Sequence, residues 1–266
     1  MTSPHRSVSN PAFRNPADWI ITMTEVTAAL RSEFAPTGAL RVGLNMSNFL
    51  LTRTDATTGK PAGVAHDLAL ELGRRLGIPV EFVPHPNPGA LADAANKNIW
   101  DVGFLGAEPA RAHEIDFTAA YVEIDSTYLV PPGSNLKHAD EVDRKGVRII
   151  VPAKAAYELY LSRTIKNAEL IKEAGADASF KRFVDEKFDA LAGLRPRLTT
   201  DQAKLPGSHI VEGRFTAVQQ AAGVPKGRTA AAKYLSAFIE DVKASGLVAK
   251  AIEDNNVVGL TIAAKS

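Results

Sequence analysis

The residues best suited to bind a small ligand lie between positions 99 and 118. An apolar strand over Val102–Leu105 runs into a tight turn at Gly106–Ala107, and a short helical turn then carries Arg111. This order places one guanidinium and several backbone N–H groups at the carboxyl end of a strand, where open α/β sheets bind ligands. Because a guanidinium pairs bidentately with a carboxylate and stays charged when water is excluded, Arg111 predicts recognition of an acid.

The alternative for Arg111 is a surface arginine paired with Glu108 or Glu114. Two further polar residues, Asn45 and Asn48, follow the carboxyl end of the first predicted strand. Their amides can offer donors and acceptors to a polar ligand, or they can bond the backbone of their own loop.

The elements that must position these residues form two α/β units. Strands alternate with helices up to residue 105, which predicts right-handed crossovers and a largely parallel sheet. A second such unit begins at Val147, and extended links near 121–130 and 215–224 join the two. We therefore expect two lobes with a two-strand hinge and a cleft. We expect no single hydrogen-bonded sheet to continue through both lobes.

The predicted boundaries are a first lobe over residues 38–123 plus 222–260 and a second over 128–216. Residues 1–37 form an N-terminal extension, and Met23 is an alternative to Met1 as the start site.

The composition excludes several classes of function. The chain has 266 residues, a formal net charge of +1 and no cysteine. Such a balanced charge gives no reason to expect a nucleic acid or a membrane surface as partner. The six histidines lack metal-ligand spacing, and no phosphate-binding, dinucleotide-binding or nucleophile motif occurs. We expect no cofactor, no metal and no catalytic residue.

Residues 1–40 lack the apolar core of a signal peptide, since their longest apolar run begins at Trp19 and spans three residues, Trp-Ile-Ile. The sequence as written therefore predicts a cytoplasmic protein, or a periplasmic one if the N-terminus is mis-started or processed. No segment approaches the roughly 20 apolar residues that span a bilayer.

The stretch from Arg111 to Ile115-Asp116-Phe117-Thr118 resembles the Arg-x-x-x-(Ile/Val)-Asp-Phe-(Ser/Thr) signature of the family 3 solute-binding proteins. These are the amino-acid receptors of bacterial ABC transporters. Four more elements resemble the family at its usual spacing: the strand over 40–43, the turn over 63–68, the segment over 188–196 and the helix over 244–250. The resemblance covers roughly residues 38–255 and implies the type II periplasmic-binding-protein fold, in which the arginine clamps the ligand carboxylate.

The chain departs from the family where an α-ammonium would be held. In the segment with Asp189 and Pro196, Leu194 stands where amino-acid receptors of the family usually carry a carboxylate. After the first strand, Asn45 and Asn48 stand where family members often carry acidic or aromatic residues. Neutral groups do not offset the desolvation of a buried ammonium. We therefore expect a small carboxylate that is not a standard amino acid.

Two loops of this chain lack the hydroxyl-bearing residues that typical family members have there. Gly106 and Ala107 leave only backbone donors, and the family's anion-binding loop reads Lys154-Ala155-Ala156, which keeps the helix N-terminus. Lys154 adds a second positive charge to the cleft, or it is an exposed loop lysine. The complete predicted ligand-binding set is Arg111, Asn45, Asn48, Gly106, Ala107, Lys154, Ala155, Ala156 and Leu194.

Three functions fit this pattern. The first is a solute-binding protein for a small anionic organic ligand, with an ABC permease as partner only if the protein is exported. The second is a lyase of the cyclohexadienyl or arogenate dehydratase type on the same fold, for which Glu108 and Glu123 are the candidate acids. The third is a cytosolic ligand sensor, which shares the binding chemistry of the first.

Overall fold

The computed structural model describes residues 26–266; the predicted start at Met23 and the apolar run at Trp19 lie outside that range. Within it the helices are Ala28–Phe34 (α1), Val64–Leu76 (α2), Pro88–Ala92 (α3), Ala156–Thr164 (α4), Ala176–Asp185 (α5), Arg195–Gln202 (α6), Thr229–Ala244 (α7) and Leu247–Asp254 (α8). The strands are Leu40–Asn45 (β1), Arg53–Thr54 (β2), Pro61–Ala62 (β3), Val80–His85 (β4), Val102–Gly106 (β5), Ile115–Val130 (β6), Arg148–Pro152 (β7), Glu169–Glu173 (β8), Ala190–Leu194 (β9), His209–Ile210 (β10), Thr216–Pro225 (β11) and Thr261–Ile262 (β12).

The fold is α/β, as predicted, with parallel strands at both ends of its main sheet. Strand β1 runs parallel to β4 and β5 in the first lobe, and β7 runs parallel to β8 and β9 in the second. The two long strands β6 and β11 pair antiparallel with each other and cross from one lobe to the other.

The expectation that no sheet continues through both lobes is wrong. Hydrogen bonding runs without a break in the order β4, β1, β5, β11, β6, β9, β7, β8. The physical reason is the length of the crossing strands: β11 pairs with β5 of the first lobe over Gln220–Gly223, while β6 pairs with β9 of the second over Ser126–Leu129.

The two lobes are nevertheless distinct in their cores. The largest buried apolar cluster contains Leu68, Leu72 and Phe238 and covers the first lobe, and a separate cluster with Tyr128 and Ile149 fills the second. Each lobe thus buries its own helix faces against its own part of the sheet. The predicted lobe boundaries stay a prediction.

Local chemistry sets several element ends near the site. Helix α2 stops at Gly77, which adopts a left-handed φ of 63° and donates its N–H to the carbonyls of Gly73 and Arg74. The segment before β5 divides into α3 and a short 3₁₀ turn at Ala95–Lys97. Strand β8 and helix α6 were not predicted, because β8 is a charged, half-exposed strand and α6 follows β9 directly.

None of the helices in residues 26–266 is both long and apolar enough to cross a membrane. The same residues contain no cluster of three or more acids or histidines that could hold a metal ion.

Candidate functional site

A cleft of about 450 Å³ lies between the lobes and is floored by the crossing strand β11. The first lobe lines it with the loops after β1, β4 and β5, and the second with the starts of α4, α5 and α6. Its residues are Asn45, Ser47, Asn48, Phe49, Pro86, Asn87, Pro88, Gly106, Arg111, Pro152, Ala153, Lys154, Ala155, Ala156, Tyr157, Ala174, Gly175, Ala176, Leu194, Arg197, Val218 and Gln220. The structure therefore brings all the predicted ligand-binding residues except Ala107 to this cleft.

Arg111 is buried in the cleft wall, with 5% of its surface exposed. Its Nη1 donates to the carbonyl of Gly106 at 2.5 Å and its Nη2 to the carbonyl of Lys154 at 2.9 Å. These bonds occupy two of the five N–H groups of the guanidinium. No carboxylate of the described residues lies within ion-pair distance of it, and Glu108 pairs instead with Arg163 at 2.6 Å. The alternative of a surface ion pair for Arg111 is therefore wrong.

The environment of Arg111 disfavours an unpaired charge. Burial lowers the pKa of Arg111 to about 10, against the opposing effect of nearby carboxylates, of which Glu108 acts most strongly. The guanidinium stays protonated at neutral pH and is only partly compensated by two carbonyl dipoles. An anionic ligand is the missing partner that this environment favours.

Asn45 and Asn48 are both buried, and each bonds its own loop as the alternative prediction had it. The Oδ1 of Asn45 accepts from the N–H and hydroxyl of Ser47, and the Oδ1 of Asn48 accepts from the N–H of Leu50 at 3.3 Å. These bonds use the amide oxygens. Within residues 26–266 the Nδ2 groups have no acceptor, so both asparagines have donors available to a ligand in the cleft.

Lys154 contributes its backbone rather than its charge. Its side chain is 63% exposed, and its Nζ pairs with Asp93 of the first lobe at 2.5 Å. Its carbonyl holds Arg111, and its N–H donates to Glu158 at 2.8 Å. The expectation that its ammonium adds charge to the ligand site is therefore corrected.

Helix α4 begins at this point, with Ala155 as its N-cap and no side-chain cap. Ala155 and Ala156 both line the cleft, so the first-turn N–H groups of α4 add positive potential to its wall.

Ala107 is the predicted site residue that the structure places elsewhere. It does not line the cleft, because the chain turns away after β5 and its N–H donates to the carbonyl of Gln219 at 2.8 Å. Leu194 does line the cleft, as the N-cap residue of α6.

The comparison with known proteins agrees with this architecture. The model of the bacterial extracellular solute-binding proteins, family 3, matches residues 40–255, which is most of the chain. The chain belongs to this family.

One curated relative is the ABC transporter glutamine-binding protein GlnH of Bacillus subtilis, 29% identical over 146 residues, 51% of this chain and 50% of that protein. The match thus spans about half the length of the relative. Among solved structures, a mutant of ArgBP from T. maritima has a TM-score of 0.69 at 21% identity, covering 86% of this chain and 99% of that one.

Two further structures show the same fold. An ancestral amino-acid-binding protein, a precursor of cyclohexadienyl dehydratase, has a TM-score of 0.69 at 22% identity and covers 86% of this chain and 99% of that one. The cysteine-binding protein from Campylobacter jejuni has a TM-score of 0.69 at 18% identity, covering 85% and 92% of the two chains.

This family 3 protein also lines its cleft with residues outside the predicted set. Phe49 and Val218 supply apolar surface, and Arg197 is neutralised by Asp177 and Asp201 at 2.7 and 2.8 Å. Phe49 gave no sequence signal beyond its place after the asparagine loop. Gln220, on the crossing strand β11, is buried and also lines the cleft.

The electrostatics of the solute-binding cleft are one-sided. Its lining, within the described residues, includes no Asp or Glu. Of its cations, Lys154 pairs with Asp93 and Arg197 with Asp177 and Asp201, so Arg111 supplies the charge that is left without a carboxylate partner there. The two candidate acids for a lyase, Glu108 and Glu123, are absent from the lining. The cleft therefore offers hydrogen-bond donors and positive potential, and it lacks a carboxylate that could hold an ammonium or transfer a proton.

Proposed function

We propose that this solute-binding protein closes around a small carboxylate that needs no α-ammonium group. The observation that carries the proposal is the contrast between a buried Arg111 without a carboxylate partner and a cleft lining that includes no acid. The carboxylate of the ligand completes the coordination of the guanidinium with a charge-assisted pair. The Nδ2 groups of Asn45 and Asn48 supply further donors.

An ordinary amino acid fits this cleft poorly. Its ammonium loses hydration on closure, and desolvation of an unpaired ammonium costs several kcal/mol. The resemblance to the family's amino-acid receptors implies an acid at the position of Leu194, and here that position is apolar. The ligand proposed here therefore differs from the glutamine for which GlnH is named and from the arginine with which ArgBP has been solved.

The relationship to ABC transporter receptors supports a permease as the partner if the protein is exported. A cytosolic sensor uses the same binding chemistry and differs only in its partners. The lyase alternative loses support, because Glu108 is held by Arg163 and Glu123 lies on β6 where it pairs with β12.

The test is isothermal titration calorimetry with matched pairs of ligands, each an amino acid and the acid that lacks its amino group. We expect the des-amino acid to bind more tightly in the pairs that bind. Tight binding of an amino acid together with rejection of its des-amino partner contradicts the proposal. A thermal-shift screen finds the binding series first, since a ligand at 100 times its Kd stabilises by about 2.7 kcal/mol.

A further inference from the structure

The side-chain amide of Gln220 has no hydrogen-bond partner among the described residues. Only 5% of the residue is exposed, and it lies in the lining of the cleft on the crossing strand β11. Its side chain makes no hydrogen bond to any described residue, so its carbonyl oxygen and its NH₂ group are both available to a ligand in the cleft. A ligand that fills the cleft excludes water from this amide, and leaving it unpaired there is unfavourable, so a hydrogen-bonding group on the ligand is favoured.

The strand register places this amide beside the guanidinium of Arg111. Gln220 stands directly opposite Gly106 in the antiparallel pairing of β11 with β5. Residues opposite each other in such a pair project their side chains from the same face of the sheet. The side chain of Gln220 therefore projects from the face of the sheet on which a side chain at position 106 would lie.

The residues that surround Gly106 show what lies on that face of the sheet. A Cβ placed on Gly106 would lie 2.9 Å from Val218 Cγ1, 2.9 Å from Ala156 Cβ and 3.6 Å from Arg111 Nη1. The face that carries Gln220 is thus the face that Arg111 reaches, and glycine at 106 lets Ala156 and Val218 pack closely against the strand. A ligand carboxylate on Arg111 brings its neighbouring carbon next to the Gln220 amide.

We propose that Gln220 selects ligands with an oxygen on the carbon next to the carboxylate, that is, α-hydroxy or α-keto acids. This inference rests on the proposed function. A keto oxygen accepts from the Gln220 NH₂, and a hydroxyl group can also donate to the amide oxygen. An α-ammonium finds only a neutral dipole there, which does not offset its desolvation. An unsubstituted acid leaves the amide unpaired.

The apolar lining indicates what the rest of the ligand is like. Phe49, Leu194 and Val218 contact the same space as the polar groups. These side chains suit a short aliphatic or aromatic substituent on the α-carbon rather than a second charge.

The experiment measures Kd by calorimetry for three matched series: propionate, lactate, pyruvate and alanine; isocaproate, α-hydroxyisocaproate, α-ketoisocaproate and leucine; and phenylpropionate, phenyllactate, phenylpyruvate and phenylalanine. The wild-type protein is compared with Gln220→Met, which keeps the length of the side chain and removes its hydrogen bonds. Gln219→Met is the matched control, since the neighbouring residue of the strand projects to the other face and bonds the carbonyl of Ala217.

In the series that binds, we expect the hydroxy or keto acid to bind about tenfold more tightly than the unsubstituted acid. Gln220→Met removes this preference, and Gln219→Met preserves it. Gln220→Glu, which keeps the size of the side chain, weakens the binding of both acids and improves the amino acid relative to them. This second variant tests the inference if Gln220→Met does not fold.

The outcomes separate the two proposals. If acids bind but the unsubstituted acid binds as tightly as its hydroxy and keto partners, or if Gln220→Met keeps the preference, only the role of Gln220 is overturned. If the amino acid binds most tightly, or if no acid of any series binds, the proposed function fails as well.

Discussion

The Nη2 atom of Arg111 lies 2.9 Å from the backbone carbonyl oxygen of Lys154, and this hydrogen bond joins the two lobes across the ligand cleft. The same guanidinium bonds the carbonyl of Gly106 in its own lobe. The group proposed to bind the ligand carboxylate is therefore oriented by both sides of the cleft. Separation of the lobes would break the bond to Lys154, so we expect ligand recognition to be coupled to closure.

Arg111→Ala should weaken the binding of the carboxylate ligand by about 2–5 kcal/mol, roughly 30-fold to several-thousand-fold in Kd. The variant removes the charge and the two bonds that position it. Arg111→Lys should recover only part of the affinity, because an ammonium does not bind a carboxylate bidentately. Calorimetry measures both, with Arg144→Ala as a control at an exposed arginine. Equal affinity of Arg111→Ala and wild type excludes this arginine as the ligand clamp.

Leu194→Asp should shift preference from the des-amino acid toward the amino acid, because it places a carboxylate where an α-ammonium can pair with it. Leu194→Asn is the matched control, since it has the same shape without the charge. The measurement is the ratio of the two Kd values for each variant. An unchanged ratio in Leu194→Asp shows that position 194 does not face the α-substituent.

Glu108→Gln and Arg163→Met should each loosen the closed form, since these residues pair at 2.6 Å between the first lobe and α4 of the second. Partly exposed pairs contribute about 0.5–1 kcal/mol, so we expect ligand binding to weaken about 2- to 5-fold. Small-angle scattering of the ligand-free variants should show a larger radius of gyration. Asp185→Asn breaks a pair with Lys181 inside α5 and should change neither quantity.

Asp101→Ala should destabilise the first lobe by about 3–5 kcal/mol. This carboxylate is fully buried and accepts from Arg41 at 2.8 Å and Arg228 at 2.7 Å. Its removal leaves two guanidinium groups without their partner. Urea denaturation measures the change, and Asp254→Ala, on an exposed pair with Lys250, should cost less than about 1 kcal/mol. Similar losses in the two variants refute the special role of Asp101.

Glu71→Gln should lower stability more at neutral pH than in acid. Hydrogen bonds from Arg74 and Arg75 lower the pKa of Glu71 from 4.5 to about 2. The folded-state pKa lies below the unfolded value, so the stabilisation is present above pH 4.5 and is lost as the pH falls toward 2. The urea midpoints of wild type and variant should therefore differ more at about pH 7 than at about pH 3. Glu253→Gln, at an exposed position of α8, is the control.

Much of the fold could be predicted because its elements follow from local patterns. The four-residue spacing of Leu68, Leu72 and Leu76 marks α2, and all three side chains are buried as that spacing requires. The alternation of strands and helices gave the α/β class, and the motif around Arg111 gave the family. Strand β8 could not be predicted in this way, since a half-exposed strand lacks an apolar pattern.

The sequence by itself determined the class of the fold, the family and the presence of an arginine at the carboxyl end of β5. Only the tertiary structure decided which groups face the ligand. It turned the ammonium of Lys154 toward Asp93, used the N–H of Ala107 for the carbonyl of Gln219, and directed the amide of Gln220 into the cleft. The reason is physical: element formation depends on neighbours a few residues apart, whereas these orientations depend on strand register and on contacts between lobes that are distant in sequence.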